Sequence, residues 1–131
     1  MSERGRIWLP TIIDITILHQ KIVQQTGGSA DVRDMGLVSS ALMRAEASFG
    51  GEDLYPGIID KAAVICHGLV MNHGFVDGNK RIGVTAMLLI LRRNDVLLAY
   101  TQNELVEFGL NIAKGKLDVQ KIKDWIVRHI E

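Results

Sequence analysis

Cysteine is nearly absent from this chain. Cys66 is the single cysteine among 131 residues. One cysteine cannot form an internal disulfide, and disulfide frameworks are typical of small domains from oxidising compartments. Because Cys66 lies within an apolar run, we interpret it as a small core residue.

An excess of charge of either sign is also absent. Fifteen basic residues balance fifteen acidic ones, and 47% of the residues are hydrophobic. This composition is typical of a well-packed globule and argues against a disordered chain. It also argues against a protein that binds nucleic acid through general positive charge. We therefore expect no direct nucleic-acid binding.

No stretch has the pattern of a membrane span or a signal peptide. The longest apolar stretch, Ile82 to Leu91, contains Gly and Thr and is shorter than the about 20 residues that cross a bilayer. Met1 to Arg6 carries charges but is followed by a helix with an acidic residue, not by a long apolar segment and a cleavage site. We expect a cytoplasmic protein without a membrane partner.

Apolar residues recur at helical spacing in several segments, and capping or turn residues mark the ends of these segments. Two of the segments, roughly Gly57 to Asn72 and Asn79 to Asn94, are apolar around most of their circumference, so they should be buried. The predicted helices begin at Leu9-Pro10-Thr11, at the cap Asp34, at Pro56, at Asn79, at the capping box Thr101-Gln102-Asn103-Glu104 and at the cap Asp118.

The predicted fold is all-α, a compact bundle of about six helices built on the two apolar helices as a central antiparallel pair. Residues 1–131 form a single domain of ordinary size. No convincing sheet is predicted. Phe49 to Tyr55 is predicted to be an irregular connection, and Val96 to Tyr100 a brief extended segment without a partner strand.

The loop between the two central helices carries the chemistry. Its sequence is His73-Gly74-Phe75-Val76-Asp77-Gly78-Asn79-Lys80-Arg81. Lys80 and Arg81 fall in the first turn of a helix, where the macrodipole is already positive and each cation costs about 0.3–1 kcal/mol. Free N–H groups and two cations at a helix start form an anion site. We expect the anion to be a phosphate chain.

Each of these residues also has a structural interpretation. His73 could interact with a helix dipole, Asp77 could cap the following helix, and Gly78 could be an ordinary turn glycine. Lys80 and Arg81 could be a solvated pair. The combination favours function, because simple anion binding needs neither a base nor a metal-binding carboxylate.

The nine-residue motif resembles the signature of the Fic/Doc superfamily, and its Asn-Lys-Arg ending resembles the Doc, or death-on-curing, toxin branch. The resemblance implies an all-helical bundle whose motif loop uses a nucleoside triphosphate to modify a hydroxyl of a target protein. Further stretches that match the branch in order and spacing are Gly27-Gly28, Arg33-Asp34-x-Gly36-Leu37, Leu54-Tyr55-Pro56 and Leu91-Arg92-Arg93-Asn94.

Under this resemblance, three motif residues have roles at the reacting centre or in the loop. His73 would be the general base that accepts the proton of the hydroxyl, a role that contributes about 10²–10⁴-fold. Asp77 would hold Mg²⁺, which binds one or two carboxylates together with phosphate oxygens. Phe75 has no group for phosphoryl chemistry, so we expect it to anchor the loop in the core.

The other motif residues are assigned to the nucleotide. Gly78 would let the backbone approach the phosphates, and Asn79, Lys80 and Arg81 would supply hydrogen-bond donors. The adenylyl-transferring branch of the superfamily has glycine in place of Lys80 and a second arginine in place of Val84. The Doc branch shares the lysine, and it is thought to bind the nucleotide reversed, with the γ-phosphate exposed.

The resemblance therefore implies a toxin of a toxin–antitoxin system. The toxin would be a protein kinase that transfers the γ-phosphate of ATP to a Ser or Thr hydroxyl, by this likeness a threonine of translation elongation factor Tu, and so arrests translation. Its partner would be an antitoxin whose disordered tail folds into a groove. Two alternatives remain open: a protein adenylyltransferase that uses the same base, and a non-catalytic helical module that binds phosphate.

Further expectations concern two loops, the start of the fourth helix and the other histidines. The loops Ser29 to Gly36 and Phe49 to Tyr55 are expected to border the target and the nucleotide. Gly78 and Ile82-Gly83 depart from the Doc pattern and could loosen the start of the fourth helix. No catalytic role is assigned to the remaining histidines, His19, His67 and His129.

Overall fold

A computed structural model describes residues 6–131. The expectation about a signal peptide falls mainly on residues 1–5, which lie outside the described residues. Within the described range, no helix has the length and apolar character needed to cross a bilayer. Residues 6–131 form six α-helices: α1 (Ile12–Thr26), α2 (Met35–Met43), α3 (Ile58–Met71), α4 (Asn79–Arg93), α5 (Gln102–Ala113) and α6 (Val119–Arg128). The all-α prediction is confirmed.

Local capping chemistry sets where most helices begin. The side chains of Thr11, Asp34, Thr101 and Asp118 each accept a hydrogen bond from a backbone N–H three residues further along the chain. Such caps satisfy donors that have no partner inside the helix. The predicted caps at Asp34 and Asp118 and the predicted capping box at Thr101 are confirmed.

The centre of the bundle is the pair formed by α3 and α4, as predicted. A Cβ atom added at Gly83 of α4 would lie 2.9 Å from the Cys66 carbonyl oxygen and would also clash with the Val70 side chain of α3. The two helices approach this closely because position 83 has no side chain. Burial in this contact also raises the pKa of the Cys66 thiol, which fits its interpretation as a core residue. Gly83 therefore serves helix packing, a role that the sequence did not reveal.

The connection between α2 and α3 differs from its prediction. A short 3₁₀ turn, Arg44–Glu46, follows α2, and β1 (Ser48–Phe49) then pairs antiparallel with β2 (Glu52–Asp53). The prediction of an entirely irregular Phe49 to Tyr55 segment is therefore wrong. The hairpin is possible because Gly50 and Gly51 both adopt positive φ at its turn.

A buried lysine of α3 holds this hairpin. Lys61 Nζ donates to the Ala45 carbonyl oxygen at 2.6 Å and to an Asp53 carboxylate oxygen at 2.9 Å. The hydrogen bond from Lys61 lowers the pKa of the Asp53 carboxyl. The hairpin is thus tied to the core, although its own residues are exposed.

The segment Val96 to Tyr100 does have a partner, contrary to the prediction. Leu98 forms an isolated antiparallel bridge with Ile130, flanked by hydrogen bonds from Ala99 N–H to the His129 carbonyl and from Glu131 N–H to the Leu97 carbonyl. Ile130 lies beyond the end of α6. The partner is too short to be recognised as a strand from the sequence.

Candidate active site

The motif loop and the start of α4 line a cleft of about 930 Å³, which α1 and α5 complete. Phe75 is not among the cleft residues and is only 2% exposed, so it lies in the core. Six of the seven residues predicted for the site line the cleft: His73, Asp77, Gly78, Asn79, Lys80 and Arg81.

His73 follows Asn72, the C-cap of α3, and its backbone lies in the left-handed region, at φ 52°. For a residue other than glycine, this conformation costs on the order of 1–3 kcal/mol and persists only where surrounding contacts hold it. Arg33 supplies such contacts: Nε donates to the His73 carbonyl at 2.7 Å and Nη2 to the Asn72 carbonyl at 3.3 Å. The imidazole itself is exposed in the cleft.

The loop Ser29 to Gly36 supports the motif loop from behind. The backbone N–H groups of Arg33 and Asp34 donate to the Gly74 carbonyl, Val76 N–H donates to the Asp31 carbonyl, and Val32 forms a bridge with Phe75. This loop therefore packs on the motif, although no residue of it lines the cleft. Among the described residues, Phe49 to Tyr55 contributes none to the cleft wall either.

Asp77 is exposed, and two preceding segments hold it. Its Oδ2 atom accepts a hydrogen bond from Ser29 N–H at 2.8 Å, and its carbonyl oxygen lies 2.7 Å from Nε2 of His19. The N-cap of α4 is Gly78, so the alternative that Asp77 caps this helix is wrong. Gly28 allows the close approach, because a Cβ there would lie 3.2 Å from the Asp77 Cβ.

The possible metal ligands around Asp77 suit a cation that binds together with phosphate better than a metal ion held by protein side chains alone. In residues 6–131, no three His, Cys, Asp or Glu side chains form a group that could hold a metal ion. Asp77 Oδ1 accepts no hydrogen bond from these residues, so it remains available as a ligand. Mg²⁺ suits such a site, since it commonly binds one or two carboxylates and completes its shell with phosphate oxygens and water.

The start of α4 is open to an anion. Gly78, at φ 79°, offers no side chain to cap the helix. The first N–H groups of the helix have no acceptor within it, and Lys80 and Arg81 add positive charge in the same turn. Both cations line the cleft. An anion site at a helix start needs this arrangement, and phosphate binding there stays a prediction.

The Asn79 side chain also closes the motif loop. Its Oδ1 atom accepts from Phe75 N–H at 3.0 Å, and its Nδ2 atom donates to the Phe75 carbonyl at 2.9 Å. An amide Nδ2 carries two hydrogens, so one remains to donate to a phosphate. The sequence pointed to the donor but not to the loop closure.

Lys80 and Arg81 are each in contact with another helix. A Cβ atom added at Gly109 of α5 would lie 3.1 Å from Cγ of Lys80, so the lysine stem packs on α5. Arg81 Nη1 donates to the Thr26 hydroxyl at the end of α1. Lys80 therefore lies on the α5 side of the cleft, and Arg81 lies on the α1 side.

The structure adds cleft residues that no local pattern indicated. Lys21 and Gln25 of α1 and Gln102 of α5 supply further polar groups. The rest of the wall is largely apolar and suits the uncharged part of a ligand; it includes Leu18, Ile22, Val70, Val84, Leu105 and Val106.

His19 is the principal residue that sequence reasoning missed. It is fully buried, and its ring stacks on Phe75 with 3.7 Å between ring centroids. No catalytic role is predicted for it, and its hydrogen-bond partner lies 58 positions away, outside its own helix. The available signal was its spacing, since His19 is four residues from both Ile15 and Val23, which are buried.

Comparisons with known proteins find a family and a curated relative that are similar to this chain. A family model described as the Fic/DOC family matches residues 10–91, which include the motif and the helices around it. A curated protein, Toxin Doc from Mycolicibacterium smegmatis, is 45% identical over 73 residues, or 56% of this chain and 56% of the relative. The match thus spans just over half of that relative's length.

Proposed function

The chain belongs to the Fic/DOC family, and on that basis we propose that it transfers the γ-phosphate of ATP to a Ser or Thr hydroxyl of a target protein, as the toxin of a toxin–antitoxin pair. Members of the family are in general transferases that modify proteins. The observation that carries the proposal is that one cleft contains His73, Asp77 and the uncapped, cationic start of α4.

His73 acts as the general base. A ring nitrogen of the imidazole accepts the proton of the acceptor hydroxyl while the hydroxyl oxygen forms a bond to the γ-phosphorus. The bond from that phosphorus to the bridging oxygen breaks, and ADP leaves with the electron pair. The histidine later releases its proton to water. The backbone of His73, held by Arg33, keeps the imidazole in the cleft.

The start of α4 binds the triphosphate. Free backbone N–H groups and the side chains of Lys80 and Arg81 donate to phosphate oxygens. Asp77 would hold Mg²⁺ through Oδ1, and the ion, when bound with the nucleotide, neutralises part of the phosphate charge. The Ser29 N–H on Oδ2 keeps the carboxylate oriented for that role.

Two residues support phosphoryl transfer over adenylyl transfer. Lys80 adds a cation and bulk to the anion site, and its stem is packed on α5. Val84, 7% exposed, lines the cleft and offers no phosphate ligand where the adenylyl-transferring branch has an arginine. The triphosphate therefore meets a different set of cations, and we propose that its γ-phosphorus faces the acceptor hydroxyl.

The toxin role is supported by the similarity to Toxin Doc. We propose, by the same family resemblance, that the acceptor is a threonine of elongation factor Tu and that the modification arrests translation. The proposed regulator is an antitoxin whose disordered tail folds on binding.

Intact-mass analysis tests this function. Purified elongation factor Tu is incubated with the protein, ATP and Mg²⁺, and a gain of one phosphoryl group is expected. His73→Ala should abolish this gain. His67→Ala is the matched control, because His67 lies outside the cleft, and this variant should keep the activity.

Other outcomes separate the alternatives. A gain of one AMP would replace the kinase by an adenylyltransferase. Equal activity in His73→Ala would remove the general-base role. If the protein binds ATP but transfers nothing to elongation factor Tu or to any protein of a bacterial lysate, the non-catalytic binding module becomes the better interpretation.

A further inference from the structure

His19 links the first helix to the peptide group that precedes α4. Its Nε2 atom lies 2.7 Å from the carbonyl oxygen of Asp77. A carbonyl oxygen can only accept a hydrogen bond, so the imidazole proton is on Nε2. The ring also stacks on Phe75, with an interplanar angle of 13°. His19 thus contacts the motif loop both through a hydrogen bond and through its ring face.

The other ring nitrogen of His19 shows that packing alone does not explain a histidine here. Nδ1 is buried and has no hydrogen-bond partner among the described residues. A buried polar atom without a partner is unfavourable. An apolar side chain would fill the same position between Ile15 and Val23 without this cost. The property that only histidine adds is the donor at Nε2.

The bond to the Asp77 carbonyl fixes the peptide group between Asp77 and Gly78. The peptide between Asp77 and Gly78 is planar and trans, so fixing the carbonyl toward His19 directs the Gly78 N–H the opposite way. The carboxylate belongs to the same residue and is held in addition by Ser29 N–H on Oδ2, so its orientation depends on both bonds. Asp77 is therefore held at its backbone and at its side chain, and Oδ1 is left for a ligand.

We infer that His19 is a positioning residue for nucleotide-bound Mg²⁺: its hydrogen bond to the Asp77 carbonyl sets the orientation in which the Asp77 carboxylate receives the ion. This inference rests on the proposed function, because it assigns Asp77 to Mg²⁺. His19 itself touches neither the ion nor the nucleotide, since it is fully buried and does not line the cleft.

Two substitutions separate the donor from the ring. His19→Gln keeps an N–H donor at about the position of Nε2 but loses the ring stacked on Phe75. His19→Phe keeps a stacked ring but loses the donor. Calorimetry then measures binding of the β,γ-imido analogue of ATP at a series of Mg²⁺ concentrations, and thermal unfolding without nucleotide reports the stability of each variant.

In His19→Phe, we expect the Mg²⁺ concentration for half-maximal nucleotide binding to rise about 10–100-fold, the usual effect of losing a residue that orients a metal ligand. His19→Gln should stay close to wild type in this respect, although its melting temperature falls further than that of His19→Phe. A purely structural role would instead make Mg²⁺ dependence follow melting temperature.

The inference is overturned if the three proteins share one Mg²⁺ dependence, or if His19→Gln is the more impaired variant. Should His19→Phe not fold, His19→Leu replaces it as the variant without a donor. If neither folds, His19 is a core residue only and the inference fails. If wild-type protein does not bind the nucleotide at any Mg²⁺ concentration, the proposed function fails and this inference fails with it.

Discussion

At the scale of single residues, the reacting groups are positioned by partners far away in the sequence. His73 adopts a positive φ that its own side chain does not favour. Arg33, 40 positions earlier, binds its carbonyl oxygen and that of Asn72. The strained backbone is thus stabilised by one guanidinium, whose several donors can bind two carbonyl oxygens at once.

Arg33→Ala should lower the transfer rate by roughly 10²-fold, because small displacements of a reacting group have effects of this size. The free energy of unfolding should fall by only about 1 kcal/mol, the typical net contribution of a hydrogen bond. Arg33→Lys should recover little activity, since an ammonium cannot reproduce the planar pair of bonds. Single-turnover phosphorylation measures the transfer rate, and urea unfolding measures the free energy of unfolding.

Arg128→Ala, which removes an exposed arginine on α6, is the control. If Arg33→Ala loses no more activity than Arg128→Ala, this role for Arg33 is contradicted.

At the scale of helices, small residues let the central elements approach. Gly83 of α4 lies against Cys66 and Val70 of α3, and a Cβ atom at Gly68 of α3 would lie 2.8 Å from the Ala41 Cβ of α2. α3 is thereby in close contact with both neighbours. Since the motif loop joins α3 to α4, this packing fixes the distance that the loop must span.

Gly83→Ala tests whether packing or helix propensity dominates at this contact. Propensity alone predicts that alanine stabilises the helix by about 1 kcal/mol. We expect the opposite, a loss of about 1–3 kcal/mol, because the added methyl group would force α3 and α4 apart. Urea unfolding measures the difference. Arg92→Ala, an exposed position on the same helix, should change stability by less than about 0.5 kcal/mol, and a Gly83→Ala variant more stable than wild type would refute the packing argument.

At the scale of the whole molecule, the cleft exists only where three helices meet. α1 and α5 form its sides, and the start of α4 forms its charged end. Because α1 and α5 belong to different parts of the chain, unfolding destroys the site completely. A ligand that binds there therefore stabilises the entire fold.

ATP with Mg²⁺ should raise the melting temperature by several degrees. At a ligand concentration of about 100 times Kd, the stabilisation is about 2.7 kcal/mol, which is a measurable shift for a domain of this size. Asp77→Ala should remove the part of the shift that depends on Mg²⁺ and leave the part that ATP alone produces. If the melting temperature of wild-type protein rises by the same amount with and without Mg²⁺, the assignment of Asp77 as a Mg²⁺ ligand is contradicted.

Whether a feature could be predicted from the sequence depends on how far apart in the sequence its interacting residues lie. The caps Asp34, Thr101 and Asp118 were predicted correctly, because a cap involves residues three positions apart. The hairpin from Ser48 to Asp53 and the bridge between Leu98 and Ile130 were missed. Both contain too few residues to produce the alternation that marks a strand.

The sequence by itself determined the helical fold, its central helix pair and the motif that carries the proposed chemistry. Each of these depends on residue types and on spacings of only a few positions. Only the tertiary structure decided how the motif is held: His19 and Ser29 bind Asp77 from 58 and 48 positions away, and Arg33 binds the backbone of His73. Such contacts depend on which helix faces pack together. The identity of a buried histidine or an exposed arginine does not reveal its partner until that packing is known.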